Sequence, residues 1–121
     1  NELKESLAKK VQLVNGLNVI IERIDLDSAE AVKNISFHLK DSIQDLFLVL
    51  GTVSKGKPSI TIAISDSLVM DKKMDAGKMV RELAVEIKGG GGGQPFYATA
   101  GGSDPEGLDR ALLKAKDYVN P

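Results

Sequence analysis

The 121-residue chain has no cysteine and only one histidine, His38. The first absence removes disulfides and thiolate metal sites, and it fits a reducing compartment such as the cytosol. The second means that imidazoles cannot assemble a zinc cluster. His38 sits among Ser36, Lys40 and Asp41 and reads as a surface or packing residue rather than a catalytic one. No apolar run approaches the roughly 18 residues of a membrane-spanning helix, and the N-terminus lacks the basic start and apolar stretch of a signal peptide. An excess of one charge sign is missing too. Sixteen Lys and Arg stand against 17 Asp and Glu, for a formal net charge of -1. Any contact with nucleic acid must therefore be local and modest, with shape recognition favoured over bulk phosphate neutralisation. Together these absences lead to the expectation of a soluble, cytoplasmic chain with no membrane partner. It begins at Asn1, inside a helical pattern, as expected of a piece of a longer protein.

What is present suffices for one folded domain: 42% of residues are hydrophobic, and a chain of this length buries roughly two thirds of its unfolded surface. Leu3, Leu7, Val11 and Val14 recur at three and four residues, which predicts a helix that stops near Asn15-Gly16 with an apolar stripe in want of a partner. "LNVIIERI" (17–24) reads as a strand buried on both faces. Asp27 and Glu30 have the spacing of a capping box, and Val32, Ile35 and Leu39 line the helix behind it. "DLFLVLGTV" (45–53) and "SITIAIS" (59–65) form an antiparallel pair, in which Ile60, Ile62 and Ile64 alternate with the smaller Thr61 and Ala63. "DAGKMVRELAVEIK" (75–88) is a helix capped by Asp75 with Met79, Val80, Leu83 and Ile87 inward. "FYATA" (96–100) is a short strand, and Asp104-Pro105 opens a last helix whose Leu108, Ala111, Leu112 and Ala115 face the core. The expected fold is α/β, mixed α+β: an N-terminal helix followed by β-α-β-β-α-β-α, with about four strands in a mixed sheet packed with helices.

Between the helix ending at Lys88 and the strand at Phe96 stand five consecutive glycines, Gly89, Gly90, Gly91, Gly92 and Gly93, followed by Gln94-Pro95. Ordering each costs on the order of 0.5–1 kcal/mol relative to alanine, so either this loop stays mobile or something needs bare backbone. A phosphate-binding P-loop is excluded because Gly93 is not followed by lysine and a hydroxyl residue. A dinucleotide fingerprint is excluded because Gln94 occupies its third glycine and the element order is wrong. Two readings remain from the residues: a capping glycine with a plain connector, or several amides turned toward one anion.

On a helical wheel Lys78, Arg81 and Lys88 share one flank of the preceding helix, and Glu82 and Glu86 share the opposite one. The basic flank leads to the glycines, so helix and loop form one candidate phosphate-facing surface. A solvated helix with an exposed Lys78–Glu82 pair is the plain alternative. Lys55 and Lys57 at a hairpin tip, Lys72 and Lys73 bracketed by Asp71 and Asp75, and Arg110, Lys114 and Lys116 on the last helix read as solvated charge. Phe96 and Tyr97 are the aromatics nearest the glycines. At least one is expected to pack, and the other could stack on a base.

The stretch "GGGGGQPFYATAGG", preceded by "MVRELAVEIK", resembles the C-terminal domain of alanyl-tRNA synthetases, a domain shared with DHH-family phosphoesterases. The pattern is carried by Gly89 to Gly93, Gln94, Pro95, Ala98, Ala100, Gly101 and Gly102, and "VNGLNVIIERID" and "VLGTVSKGKPSITIAIS" extend it over nearly the whole chain. The resemblance implies that residues 1–15 end a connecting helical region and residues 16–121 form the globular DHH-associated domain. It implies a domain without chemistry of its own that contacts the elbow of alanine tRNA and assists aminoacylation, editing and dimerisation. ATP and zinc would be used in other domains of the enzyme, and no cofactor here. The phosphate-facing residues would be Lys78, Arg81, Lys88, Gly89 to Gly93 and Gln94. Leu3, Leu7, Val11 and Val14 would pack on further helix or on a second copy. Two rivals stand beside it, a nucleotide- or phosphate-binding lobe of a DHH-type phosphoesterase and a pure dimerisation module.

Overall fold

The computed structural model describes residues 2–120. Its elements run α1 (Glu2–Lys9), β1 (Gln12–Val14), β2 (Leu17–Arg23), α2 (Ala29–Ser42), β3 (Leu46–Ser54), β4 (Lys57–Ile64), α3 (Asp66–Lys72), α4 (Ala76–Ala84), β5 (Gly89–Gln94), β6 (Tyr97–Gly102) and α5 (Leu108–Ala115), with short 3-10 turns after α4 and on both sides of α5. The strands form one sheet in the order β1-β2-β3-β4-β6-β5. Only β2 and β3 run parallel, and the other neighbours are antiparallel. The mixed α+β class is as expected, but the sheet has six strands rather than about four. Both additional strands come from segments read otherwise, β1 from the end of a helix and β5 from a loop.

At the N-terminal edge the difference has a local cause. Asn15 and Gly16 both take positive φ, 51° and 84°, the backbone of a two-residue hairpin turn whose twist matches that of its strands. Val14 therefore pairs with Leu17 and Gln12 with Val19, and α1 ends at Lys9. The expected continuous stripe does not exist. Leu7 is 1% exposed, packed with Ile20, Leu39 and Leu48 on the α2 side of the sheet. Leu3 and Val11 pack against the same cluster, whereas Val14 packs on the opposite side. Of the four, Leu7 is buried within the domain, and Leu3, Val11 and Val14 are partly buried. Ser28, not Asp27, caps α2, its Oγ accepting from the Ala31 N–H at 3.2 Å.

The strand alternation sorts the core into two layers. Phe47, Val49, Ile60, Ile62, Ile64, Ala98 and Ala100 face Val80, Leu83, Leu108 and Leu112 from α4 and α5. Leu46, Leu48, Leu50 and Ala63 face α1 and α2. The branched face of β4 is buried beneath two helices. Its small face, with Ser59 and Thr61, lies partly beyond α2. No helix of the described residues is long and apolar enough to cross a membrane.

Replacement of Leu7 by alanine is expected to destabilise the domain by about 2–5 kcal/mol, because it empties a filled core site. Leu13, 75% exposed on β1, serves as the control: Leu13→Ser should stay within about 0.5 kcal/mol. Chemical denaturation of the two variants separates a buried α1 from a detached one.

Candidate nucleic-acid interface

The α4–β5–β6 unit carries the residues singled out by sequence. Asp75 caps α4, its carboxylate accepting from the Gly77 and Lys78 N–H groups at 3.0 and 3.3 Å. Ala76, Gly77, Val80, Leu83 and Ala84 are buried, and Lys78, Arg81 and Glu82 are exposed. A 3-10 turn (Val85–Ile87) and the left-handed Lys88, φ 54°, then reverse the chain into the glycines.

Those glycines are neither a loop nor a concave cradle. Gly89 to Gln94 are strand β5, paired with β6 from Gly89↔Gly102 to Gln94↔Tyr97. The reason for the missing side chains is proximity. A Cβ on Gly91 would stand 2.2 Å from the Thr99 carbonyl oxygen and 2.5 Å from the Ala100 Cα. A Cβ on Gly89 would stand 1.9 Å from the Gly101 carbonyl oxygen, and Gly93 takes φ 154°, closed to ordinary side chains. On the other side, Gly77 allows the first turn of α4 to approach β5. A Cβ there would lie 2.9 Å from the Gly93 carbonyl oxygen.

β5 is the last strand of the sheet, so half of its backbone groups lack a ladder partner. The Ile64 N–H donates to the Phe96 carbonyl at 2.9 Å. Antiparallel alternation then gives Ala98 and Ala100 to β4, and Tyr97, Thr99 and Gly101 to Gln94, Gly92 and Gly90. Gly89, Gly91 and Gly93 consequently direct their N–H groups away from the sheet, about 6.8 Å apart. The amides form a line of donors along an edge and do not converge on a single anion.

Charge on α4 is divided between two neighbours. The acidic flank turns to the C-terminal helix: Glu86 receives Arg110 at 3.1 Å and Lys114 at 3.5 Å, and Glu82 accepts from the Tyr118 hydroxyl. The Arg110 hydrogen bond, with Lys114 close by, holds the Glu86 carboxyl below its ordinary pKa. Burial, together with Glu82, raises that of Tyr118. No Lys78–Glu82 ion pair forms among the described residues, and Lys78, Arg81 and Lys88 have no carboxylate partner there. Arg81 reaches β5, its Nη1 lying 3.4 Å from where a Cβ on Gly92 would stand. Lys88 directly precedes Gly89, and Lys78 follows Gly77, which abuts Gly93. Helix flank and glycine strand are thus brought together. The sequence did not give Gly77 as a spacer or Tyr118 as the partner of Glu82, because neither follows from local periodicity.

The remaining candidates lie elsewhere. Tyr97 packs on Phe37 with ring centroids 4.9 Å apart. Phe96, 38% exposed, carries the Lys40 ammonium 5.5 Å from its ring centroid. His38 is exposed on α2. Among the described residues no group of three or more His, Cys, Asp or Glu is placed to hold a metal ion.

The sequence pattern of one family, described as the DHHA1 domain, matches residues 16–120. The chain is 46% identical over 117 residues to the alanine–tRNA ligase of Cytophaga hutchinsonii and 50% identical over 118 residues to that of Bacteroides fragilis. Each match covers 97% of this chain and 13% of the relative, so the chain spans about an eighth of the length of these relatives. The crystal structure of the C-Ala domain from Aquifex aeolicus alanyl-tRNA synthetase superposes with a TM-score of 0.82 at 21% identity, covering 93% of this chain and 99% of that one.

The steric account separates two glycines that composition treats alike. Gly91→Ala is expected to cost about 1–3 kcal/mol by overpacking. Gly90→Ala, whose Cβ would meet nothing within 4 Å, should not destabilise. Thermal denaturation of the pair distinguishes a packed strand from a slack connector, for which both changes would be equally mild.

Proposed function

Because the chain belongs to the DHHA1 domain family, we propose that it is the C-terminal domain of an alanine–tRNA ligase and contacts the outer elbow of the L-shaped tRNA. In this reading it acts in the cytoplasm and assists aminoacylation and editing by holding the tRNA while other domains of the enzyme perform the chemistry. It uses no cofactor, ATP and zinc belonging to those other domains. Residues 1–15 continue from a connecting helical region, and assistance to dimerisation works through that region. Leu13 is the one large apolar side chain of these residues left exposed, at 75%, among those described.

The observation that supports the reading best is the unpaired basic flank of α4 beside a strand edge without side chains. Lys78, Arg81 and Lys88 supply charge, the outward N–H groups of Gly89, Gly91 and Gly93 supply donors, and Gln94 ends the row. Phosphates recognise both kinds of group. The near-neutral chain limits the strength of the contact, and attachment to a ligase that holds the same tRNA elsewhere offsets that weakness through effective concentration.

In the full-length ligase, Arg81→Ala should weaken binding of alanine tRNA and reduce the slope of log K against log salt by about 1. Glu82→Ala, on the flank taken by Tyr118, should leave affinity and slope unchanged. Fluorescence titration at several salt concentrations reads both quantities. Equal behaviour of the two variants would place the RNA elsewhere, and alanine-dependent pyrophosphate exchange by the 121 residues alone would overturn the absence of chemistry.

A further inference from the structure

The α2 side of the sheet contains a groove of about 570 Å³ between the first turns of α2 and strands β3, β4 and β6. Its floor is made of Thr52, Ser59, Thr61 and Thr99, with Asp27, Glu30, Val32 and Lys33 on the α2 wall. The same strands on the opposite side bear Ile60, Ile62, Ala98 and Ala100 in the core, whereas on the groove side the hydroxyls continue the face that carries Leu48, Leu50 and Ala63. Thr52 is only 7% exposed and lines this groove. Its hydroxyl has no hydrogen-bond partner among the described residues, and it is not shut off from the groove. Thr61 differs, lying close enough to the Tyr97 hydroxyl to counter in part the rise that burial gives its pKa.

Beyond Thr99 the groove opens across Gly101 toward its partner Gly90 on the edge strand. Unlike Gly89, Gly91 and Gly93, these two glycines are not required by the fold. A Cβ on Gly90 meets nothing within 4 Å, one on Gly101 meets only the Pro58 carbonyl oxygen at 4.0 Å, and neither residue has positive φ. A bare cross-strand pair with room for side chains leaves space for something outside the chain to come close.

We propose that this groove receives the ribose edge of the RNA strand whose phosphates lie along β5, and that its threonine hydroxyls bond the 2′-hydroxyls. The proposal rests on the RNA reading above and deepens it. Two carboxylates, Asp27 and Glu30, against one cation, Lys33, disfavour phosphate on this wall and accept from hydroxyl and exocyclic amino groups, so the groove faces the sugar side of the strand. Threonine both donates and accepts, as does a 2′-hydroxyl. The phosphates remain at the edge, beside Arg81, and Gly90 and Gly101 let the strand pass from edge to face.

The test compares alanine tRNA with the same tRNA carrying 2′-deoxy residues throughout its elbow, bound to the full-length ligase. Thr52→Val and Gly90→Val should each weaken binding of the all-ribose tRNA by roughly three- to tenfold, the effect of about one lost hydrogen bond. Both should lose most of the preference for ribose over deoxyribose, and Thr52→Ser should restore it. Neither change meets a steric obstacle in the fold, and unchanged melting temperatures verify that. If Arg81→Ala weakens binding while Thr52→Val and Gly90→Val do not, the groove proposal fails and the phosphate reading stands. If none of the three weakens it, both fail. Retained RNA affinity with altered protease sensitivity of the ligase in Gly90→Val would assign the groove to a protein segment and overturn the proposal.

Discussion

No side chain can stand at Gly91 while β5 lies where it does against β6. A Cβ would be driven to 2.2 Å from the Thr99 carbonyl oxygen, well inside the closest approach of non-bonded atoms. The arrangement around the candidate site follows from that contact. Because β5 is stripped to its backbone it can close the sheet as an edge, with Gly77 allowing α4 to settle against its Gly93 end. The entropy lost in ordering the glycines is offset by ladder hydrogen bonds to β6 and by the core that α4 completes over Ala98 and Ala100. An edge with neither bulk nor charge on it is the kind that natural sheets usually guard. Here the guard is set beside the strand: Arg81 from α4 and Lys88 at its entrance put positive charge next to the exposed amides.

That charge is available because of a division made on the far side of the same helix. Glu86 is held by Arg110 and Lys114, and Glu82 by Tyr118, so the one carboxylate placed a helical turn from Lys78 is engaged elsewhere, and Arg81 has none at that spacing. Each exposed pair contributes little to stability. Its larger effect is on the field around α4, which becomes positive on the side facing β5 and neutral on the side facing α5. A chain with a net charge of -1 thereby presents a local cationic edge. Recognition of a folded RNA by a small surface requires that kind of local arrangement and no overall basicity.

The elements read most directly from sequence are those whose burial has a period. Ile60, Ile62 and Ile64 announce β4, Leu83 and Ile87 the inner face of α4, and Leu108, Ala111 and Leu112 that of α5. Residues 11–17 misled because Leu3, Leu7, Val11 and Val14 fit a helical spacing by coincidence. The Asn15-Gly16 pair has the form of a helix stop and equally of a hairpin turn, and the positive φ of both residues decides between them. Gly89 to Gly93 have no side chains to show an alternation, and what makes this segment a strand is the backbone of β6. For the candidate site, the basic flank and the glycines were legible one by one. Their contact, the removal of the acidic flank and the hydroxyl groove across Thr52, Thr61 and Thr99 depend on strand order, which composition does not contain.

The central claim is that the outward amides of β5 meet RNA phosphates. Hydrogen exchange followed residue by residue by NMR, with and without alanine tRNA, tests it most directly, because the edge strand contains its own control. Gly90 and Gly92 donate to β6, so their amides should exchange slowly in both states, whereas Gly91 and Gly93 should exchange fast in the free chain and become protected when tRNA is bound. Fast exchange at Gly91 and Gly93 that persists in a tRNA-saturated sample would contradict the account.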